Sequence, residues 1–185
     1  MRLILLTVLV SLAIGLLAGG SLRDFPAIRS RWTWLVLVGA ALQFAPIRGT
    51  LAFPILLASF GFLLAFVLAN LRSPGFALIL VGLALNVLVI AVNRGMPVSR
   101  QALVASDQAN TVSELQANTD GQKHFLADDD TELLELGDVI GIGDPIRQAI
   151  SIGDGFVHVG IGWFIVVALR KPKRAPLPAP RPAEG

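Results

Sequence analysis

The sequence predicts an all-α integral membrane protein, a bundle of about five transmembrane helices with an extracytoplasmic segment between the fourth and the fifth. Three observations carry that expectation. Hydrophobic residues make up 54% of the 185 and mean hydropathy is +0.70, above what a soluble domain of this size carries. The charged 15% stand between long apolar runs instead of alternating with them, so the runs are segments and not the faces of amphipathic helices. Charge is also segregated: residues 94–154 hold 11 of the 13 acidic residues with four basic ones, net −7, while the rest of the chain holds 11 basic and two acidic, net +9.

A hydrocarbon core of about 30 Å takes roughly 20 helical residues. The first apolar run covers 3–20. The second lies between Arg31 and Arg48, the third between Arg48 and Arg72, the fourth between Arg72 and Arg94, and the fifth between Asp154 and Arg170. The second and fifth have only 16 and 15 uncharged residues between their bounding charges, so thinning, snorkelling or a re-entrant path is the alternative for each. The chain then divides into a four-helix membrane region (1–93), an acidic extracytoplasmic segment (94–154), a fifth transmembrane helix (155–171) and a basic, proline-rich, disordered tail (172–185).

Orientation follows from Lys and Arg, because positive loops resist translocation. Arg23, Arg29, Arg31, Arg72 and the tail from Arg170 fall on one side of a five-span protein, which assigns that side to the cytoplasm of a bacterial-type cell. The N-terminus, the turn near Pro46 and residues 94–154 are then outside. Ala18, Gly19, Gly20 and Ser21 resemble a signal-peptide cleavage site, but three arginines follow the run and only Arg2 precedes it, the reverse of a secretory signal. Retention of the first segment is expected.

The outer segment reads as short helices and turns packed against the end of the bundle. Thr111 and Glu114 match a capping box, 118–121 a turn, and Asp130 the cap of a short helix ended by Gly137. Gly-Asp recurs at Gly137, Gly143 and Gly153 as turns.

Few polar residues need explaining. Gly82, Asn86 and Asn93 share one face of the fourth span, either as interhelical packing and hydrogen bonding or as a polar ligand path. Asp154 and His158 are four residues apart at the start of the fifth. The plain reading makes Asp154 a helix cap, and the sharp one makes Asn86, Asn93, Asp154 and His158 a ligand, ion or proton site. His124, Asp128, Asp130 and Asp138 are candidate oxygen and nitrogen ligands for a hard cation, although the spacing is no EF-hand and the acids suit a solvated face. Ser11, Gly15 and Gly19 in the first span, and Gly61, Ala65 and Ala69 in the third, form small-residue stripes suited to close helix packing.

Cysteine is absent, which removes disulfides, thiolate metal sites and cysteine nucleophiles. No hydrolase elbow, P-loop, zincin or dinucleotide motif is present, and no cofactor, resident metal or nucleic acid is expected. A membrane enzyme with His124 or His158 as base is the least supported reading. The leading one is a non-enzymatic accessory or scaffold subunit, or an oligomer, acting by helix packing. The alternative is a small transporter or binding protein for a cation, proton or lipid-like ligand. In either case the lipid bilayer, other membrane subunits or further copies of the chain are the expected partners.

Several strings in combination resemble a known family: Leu85-Asn86, Asn93-Arg94-Gly95-Met96-Pro97-Val98, Lys123-His124, Thr131-Glu132-Leu133 with Leu136-Gly137-Asp138, and Ser151-Ile152-Gly153-Asp154. They are similar to small bacterial multi-pass membrane proteins known as domain of unknown function 5317. The resemblance spans nearly the whole chain up to the tail. It implies a helical membrane protein, and it implies no activity, cofactor or partner. Such proteins often carry Asn-Gly-Gly before Met-Pro, where Asn93-Arg94-Gly95 stands here.

Overall fold

The computed structural model describes residues 2–22, 30–46, 49–117 and 123–170. The tail, the predicted turn at 118–121, Arg23 and Arg29 lie outside them.

Five apolar helices build the bundle: α1 (Arg2–Leu17), α2 (Thr33–Phe44), α3 (Ala52–Ala69), α4 (Phe76–Asn93) and α7 (Ile152–Leu169). Three are long and apolar enough to cross a membrane, namely α3 with its preceding 3-10 turn (Gly49–Ala69), α4 and α7, whereas α1 and α2 are shorter. The ends of α1 and α2 have local causes. Gly19 takes φ 83°, and the Gly19 and Gly20 amides donate back to Leu16 and Gly15, a left-handed glycine stop. On α2, Trp32 at φ 58° precedes the first turn and Ala45 is already extended ahead of Pro46. Leu5, Leu9, Leu17, Leu37, Val159 and Trp163 are exposed, an outer surface that suits hydrocarbon better than water.

The helices pack in the order α1–α7–α4–α3–α2, so the last helix is inserted between the first and the fourth. Contact between α4 and α7 is backbone to backbone. A methyl group at Gly82 would meet the Gly153 carbonyl oxygen, and one at Gly160 would stand 2.6 Å from the Gly75 carbonyl oxygen. Ser11 and Gly15 are buried in α1, where a methyl on Gly15 would strike Leu169. Gly19, placed in the same stripe by sequence, lies beyond the helix with open space around it. Phe76 joins α3 to α7 through Phe66 and Phe164, at ring-centroid distances of 5.7 and 5.3 Å.

Polar side chains close both ends. At one, Asn70 grips Arg31, accepting from its amide (2.7 Å) and donating to its carbonyl (2.8 Å), with Arg72 and Arg170 at neighbouring helix ends. The acidic segment packs on the other, where Arg2 reaches the Pro145 carbonyl.

That segment is more structured than short helices and turns. β1 (Met96–Val98) pairs in parallel with β2 (His124–Leu126), and β3 (Ile140–Ile142) pairs antiparallel with β4 (Gln148–Ile150). Three-residue strands are too short to show alternation, and β1 and β2 are distant in sequence, so neither pair was visible beforehand. Between β1 and β2 lie α5 (Arg100–Ala105) and α6 (Ala109–Ala117). Ser99 caps α5 by accepting from the Ala102 amide, while α6 begins two residues before the expected Thr111 cap. Val98, Leu103 and Val112, with Leu115 and Leu126, form a small separate core. Asp130 caps no helix: the stretch ended by Gly137 is one 3-10 turn, Leu134–Leu136, entered through Leu133 at φ 52°.

Candidate functional site

Between the bundle and the acidic segment opens a cleft of about 990 Å³. Its walls come from the C-terminal end of α2, the N-terminal half of α3, the C-terminal half of α4, the start of α7, and β1, β2 and α6. Leu56, Phe60 and Ile90 supply apolar surface at its bundle side, and Gln108, Thr111, Glu114 and Gln148 supply polar surface opposite.

The floor is a hydrogen-bonded knot. Ser151 caps α7 by accepting from the Asp154 amide, and Asp154 Oδ2 accepts from the Ser151 amide (3.2 Å), a reciprocal capping box. Asn86 of α4 ties this cap to the bundle, donating to Asp154 Oδ1 (2.8 Å) and accepting from the Ser151 hydroxyl (2.9 Å). Asn86 is buried, so each of these groups has found a partner inside the protein. Asp154 therefore sits in the first turn of α7, one helical turn deeper than the cap that sequence spacing assigned to it.

On the wall stands Lys123, the lone described lysine of the acidic segment. Its ammonium donates to the carbonyls of Leu42 (3.1 Å), Gln43 (2.6 Å) and Ala45 (2.8 Å), filling the unpaired acceptors at the end of α2 with a cation on the negative end of the helix dipole. All three of its donors are thereby occupied.

Beside it, β2 and the bridge between Val98 and Asp138 bring a histidine and a carboxyl together. Asp138 is 7% exposed. Its amide donates to the Pro97 carbonyl and its carbonyl accepts from the Ser99 amide, which locks the residue against β1. Oδ2 lies 3.9 Å from His124 Nε2, and Oδ1 is enclosed with no hydrogen-bond partner among the described residues. Burial, and secondarily the negative charge of Asp154, push the Asp138 carboxyl up from 3.8 to about 8, so near neutrality it holds its proton. His124 is lowered, first by burial against the cleft walls, with Asp154 raising and Lys123 lowering it further. Half of its side chain is still reached by water through the open cleft.

A carboxyl that stays protonated in the native state and ionises when unfolded makes stability fall as pH rises. For Asp138 the fall runs from about 4 to about 8, at no more than about 1.4 kcal/mol per pH unit, and levels off above. Asp138→Asn, neutral at every pH, should flatten this slope and unfold at a higher temperature than the parent near pH 8. Thermal unfolding in detergent across that range is the measurement. Equal slopes in the two proteins would show that Asp138 is ionised in the native state.

The four residues grouped by sequence do not form one site. Asn86 and Asp154 meet, but Asn93 turns to the acidic segment, donating to the Glu132 carbonyl (2.8 Å) and accepting from its amide (3.0 Å). His158 Nδ1 pairs with Thr7 Oγ1 at 2.9 Å between α7 and α1. The proposed cation set also divides. His124 and Asp138 line the cleft, while Asp128 closes an exposed turn with Thr131 and the Asp130 amide. Among the described residues no three histidine or acidic side chains converge on a metal-sized point. Lys123 and Ser151 went unselected by sequence reasoning, although a single lysine amid acids was a usable signal. Gly160 went unselected too, and Gly153, expected in a turn, stands instead in the first turn of α7; the partners of both lie on another helix.

Gly61 has open space beside it and, with Ala65, Trp32, Trp34 and Phe62, lines a shallow apolar groove between α2 and α3. The third-span stripe thus faces outward, and Ala69 is half-buried in the last turn of α3.

A family model described as "Family of unknown function (DUF5317)" matches residues 27–166. No curated protein and no solved structure matches the chain.

Proposed function

The chain belongs to the DUF5317 family of unknown function, and within that frame we propose that it is a multi-pass membrane protein of the cytoplasmic membrane that binds a small amphiphilic ligand in the cleft. The observation that carries this reading is the cleft itself: large enough for a small molecule, apolar toward the bundle, and lined by the buried Asp138 carboxyl and the Asn86–Asp154 knot. The acidic segment faces outward and the arginine-rich ends face the cytoplasm, in line with the positive-inside rule. Ligand then arrives from the extracytoplasmic side. α1 and α2 cross with the other three helices, aided by snorkelling of Arg2 and Arg31.

Thr111→Trp would fill the cleft from α6. Native chain purified in mild detergent should release, on denaturation, a small molecule that mass spectrometry does not find with the variant. Identical extracts from both would sink the proposal.

The outward groove at Gly61 and Ala65 favours a second reading, a scaffold or accessory subunit that packs against another transmembrane helix. A stoichiometric membrane protein co-purifying with the native chain and lost on Gly61→Leu would establish it.

The orientation has its own test, because the chain lacks cysteine. Glu132→Cys, at an exposed position, should react with a membrane-impermeant maleimide in intact cells, and Arg72→Cys only after lysis. The reverse pattern would invert the topology.

A further inference from the structure

We propose that the cleft ligand is an organic cation, an ammonium bearing an apolar group, and that it binds in exchange for the proton of Asp138. The inference rests on the ligand-binding reading above and names its chemistry.

Three features select a cation. Lys123, the cationic side chain of the cleft wall, has each of its N–H donors engaged by an α2 carbonyl, so it has none left for an anion. Acceptor capacity, by contrast, is unfilled: Oδ1 of the buried Asp138 has no partner among the described residues, and Asp138 and Asp154 line the same cavity. An ammonium suits this better than a metal ion, since among the described residues no three ligating side chains converge. Leu56, Phe60 and Ile90 on the bundle side of the cleft would take the apolar group, and burying it excludes water from the charged contact.

The exchange follows from the groups that face Asp138. His124 of β2 stands 3.9 Å away, Asp154 of α7 acts on it as a second negative charge, and Glu114 of α6 lines the cavity. Before a cation enters, burial and the Asp154 charge keep the carboxyl protonated. A cation placed between the two carboxyls reverses that balance, the O–H bond of Asp138 breaks, and the proton leaves to bulk water through the open side of the cleft. One positive charge enters as one leaves, so the buried site never holds two uncompensated carboxylates.

The test uses the full-length chain in mild detergent and three probes of like shape: benzylammonium, benzyl alcohol and benzoate. Calorimetry in buffers of different ionisation enthalpy counts protons. Benzylammonium should bind best and release close to one proton near pH 7, with affinity rising about tenfold per pH unit up to about 8. Asp138→Asn, checked for folding by circular dichroism, should release none and bind roughly tenfold more weakly or worse. Binding without proton release, or unchanged binding by Asp138→Asn, overturns the exchange. A preference for benzoate or benzyl alcohol overturns the cation while leaving a ligand-binding cleft intact. Binding of none of the three overturns this inference, and the comparison with Thr111→Trp then decides separately whether the cleft holds a ligand at all.

Discussion

Gly153→Val should unfold at a markedly lower temperature than the parent chain, with a loss of about 3 kcal/mol or more. At this position α7 crosses α4 so closely that even a methyl group would overlap the Asn86 side-chain oxygen and lie 2.7 Å from the Gly82 carbonyl oxygen. Neither neighbour can yield. Gly82 is helix backbone, and moving Asn86 breaks its bonds to Ser151 and Asp154. In the membrane setting proposed above the hydrophobic effect does not hold helices together, so close van der Waals contact between glycine-lined backbones carries more of the stability than it would in water. Thermal unfolding in detergent, followed by circular dichroism, reads the effect. Gly61→Val is the matched control: it adds the same side chain at a position where nothing among the described residues lies within 4 Å of the new Cβ, and it should shift stability by no more than about 0.5 kcal/mol. Equal tolerance at both sites would mean that α4 and α7 are not in backbone contact.

Asn86→Leu should cost about 2–4 kcal/mol by a different route. The substitution leaves the size of the side chain nearly unchanged but strips Asp154 Oδ1 of its donor and the Ser151 hydroxyl of its acceptor. A charge stranded beside an apolar side chain is penalised more than a contact removed from both ends. The double variant Asn86→Leu/Asp154→Leu should therefore be less destabilised than the sum of its two single variants, even though it also loses the capping box of α7. Strict additivity would show that the Asn86–Asp154 bond contributes nothing to holding α4 against α7.

Both predictions turn on a helix contact that the sequence only half displays. Gly82 and Asn86 were identifiable as one face of the fourth apolar run because an amide and a glycine four residues apart stand out in hydrocarbon. Their partners were not. Gly153 and Gly160 sit in a helix with further glycines at Gly155 and Gly162, and nothing local tells which pair faces which neighbour. The same limit explains the divided polar set. Asn86 and Asn93 are seven residues apart and nearly eclipsed along α4, yet Asn93 lies at the last turn, where the backbone of Glu132 is within reach and the Ser151 hydroxyl is not. Helical periodicity gives direction, and it is depth along the bundle that selects the partner.

In the acidic segment the reverse holds. Its composition was conspicuous while its fold was hidden, since a parallel pairing of Met96–Val98 with His124–Leu126 joins strands more than 20 residues apart, and each is too short to carry a pattern of its own. That pairing sets His124, and through the bridge from Val98 the buried Asp138, at the mouth of the bundle, away from the exposed Asp128 and Asp130.

Composition and the spacing of charges were thus enough to determine the apolar helices, their approximate limits, and the separation of arginine-rich from carboxylate-rich ends, because solvent preference is a property each residue carries wherever the chain takes it. Tertiary structure alone decided that α7 is inserted between α1 and α4, that Lys123 seals the end of α2, and that one aspartate among many is enclosed beside a histidine. A side chain's partners and its dielectric surroundings depend on which distant segments arrive next to it, and that information is stored in the packing of the whole chain.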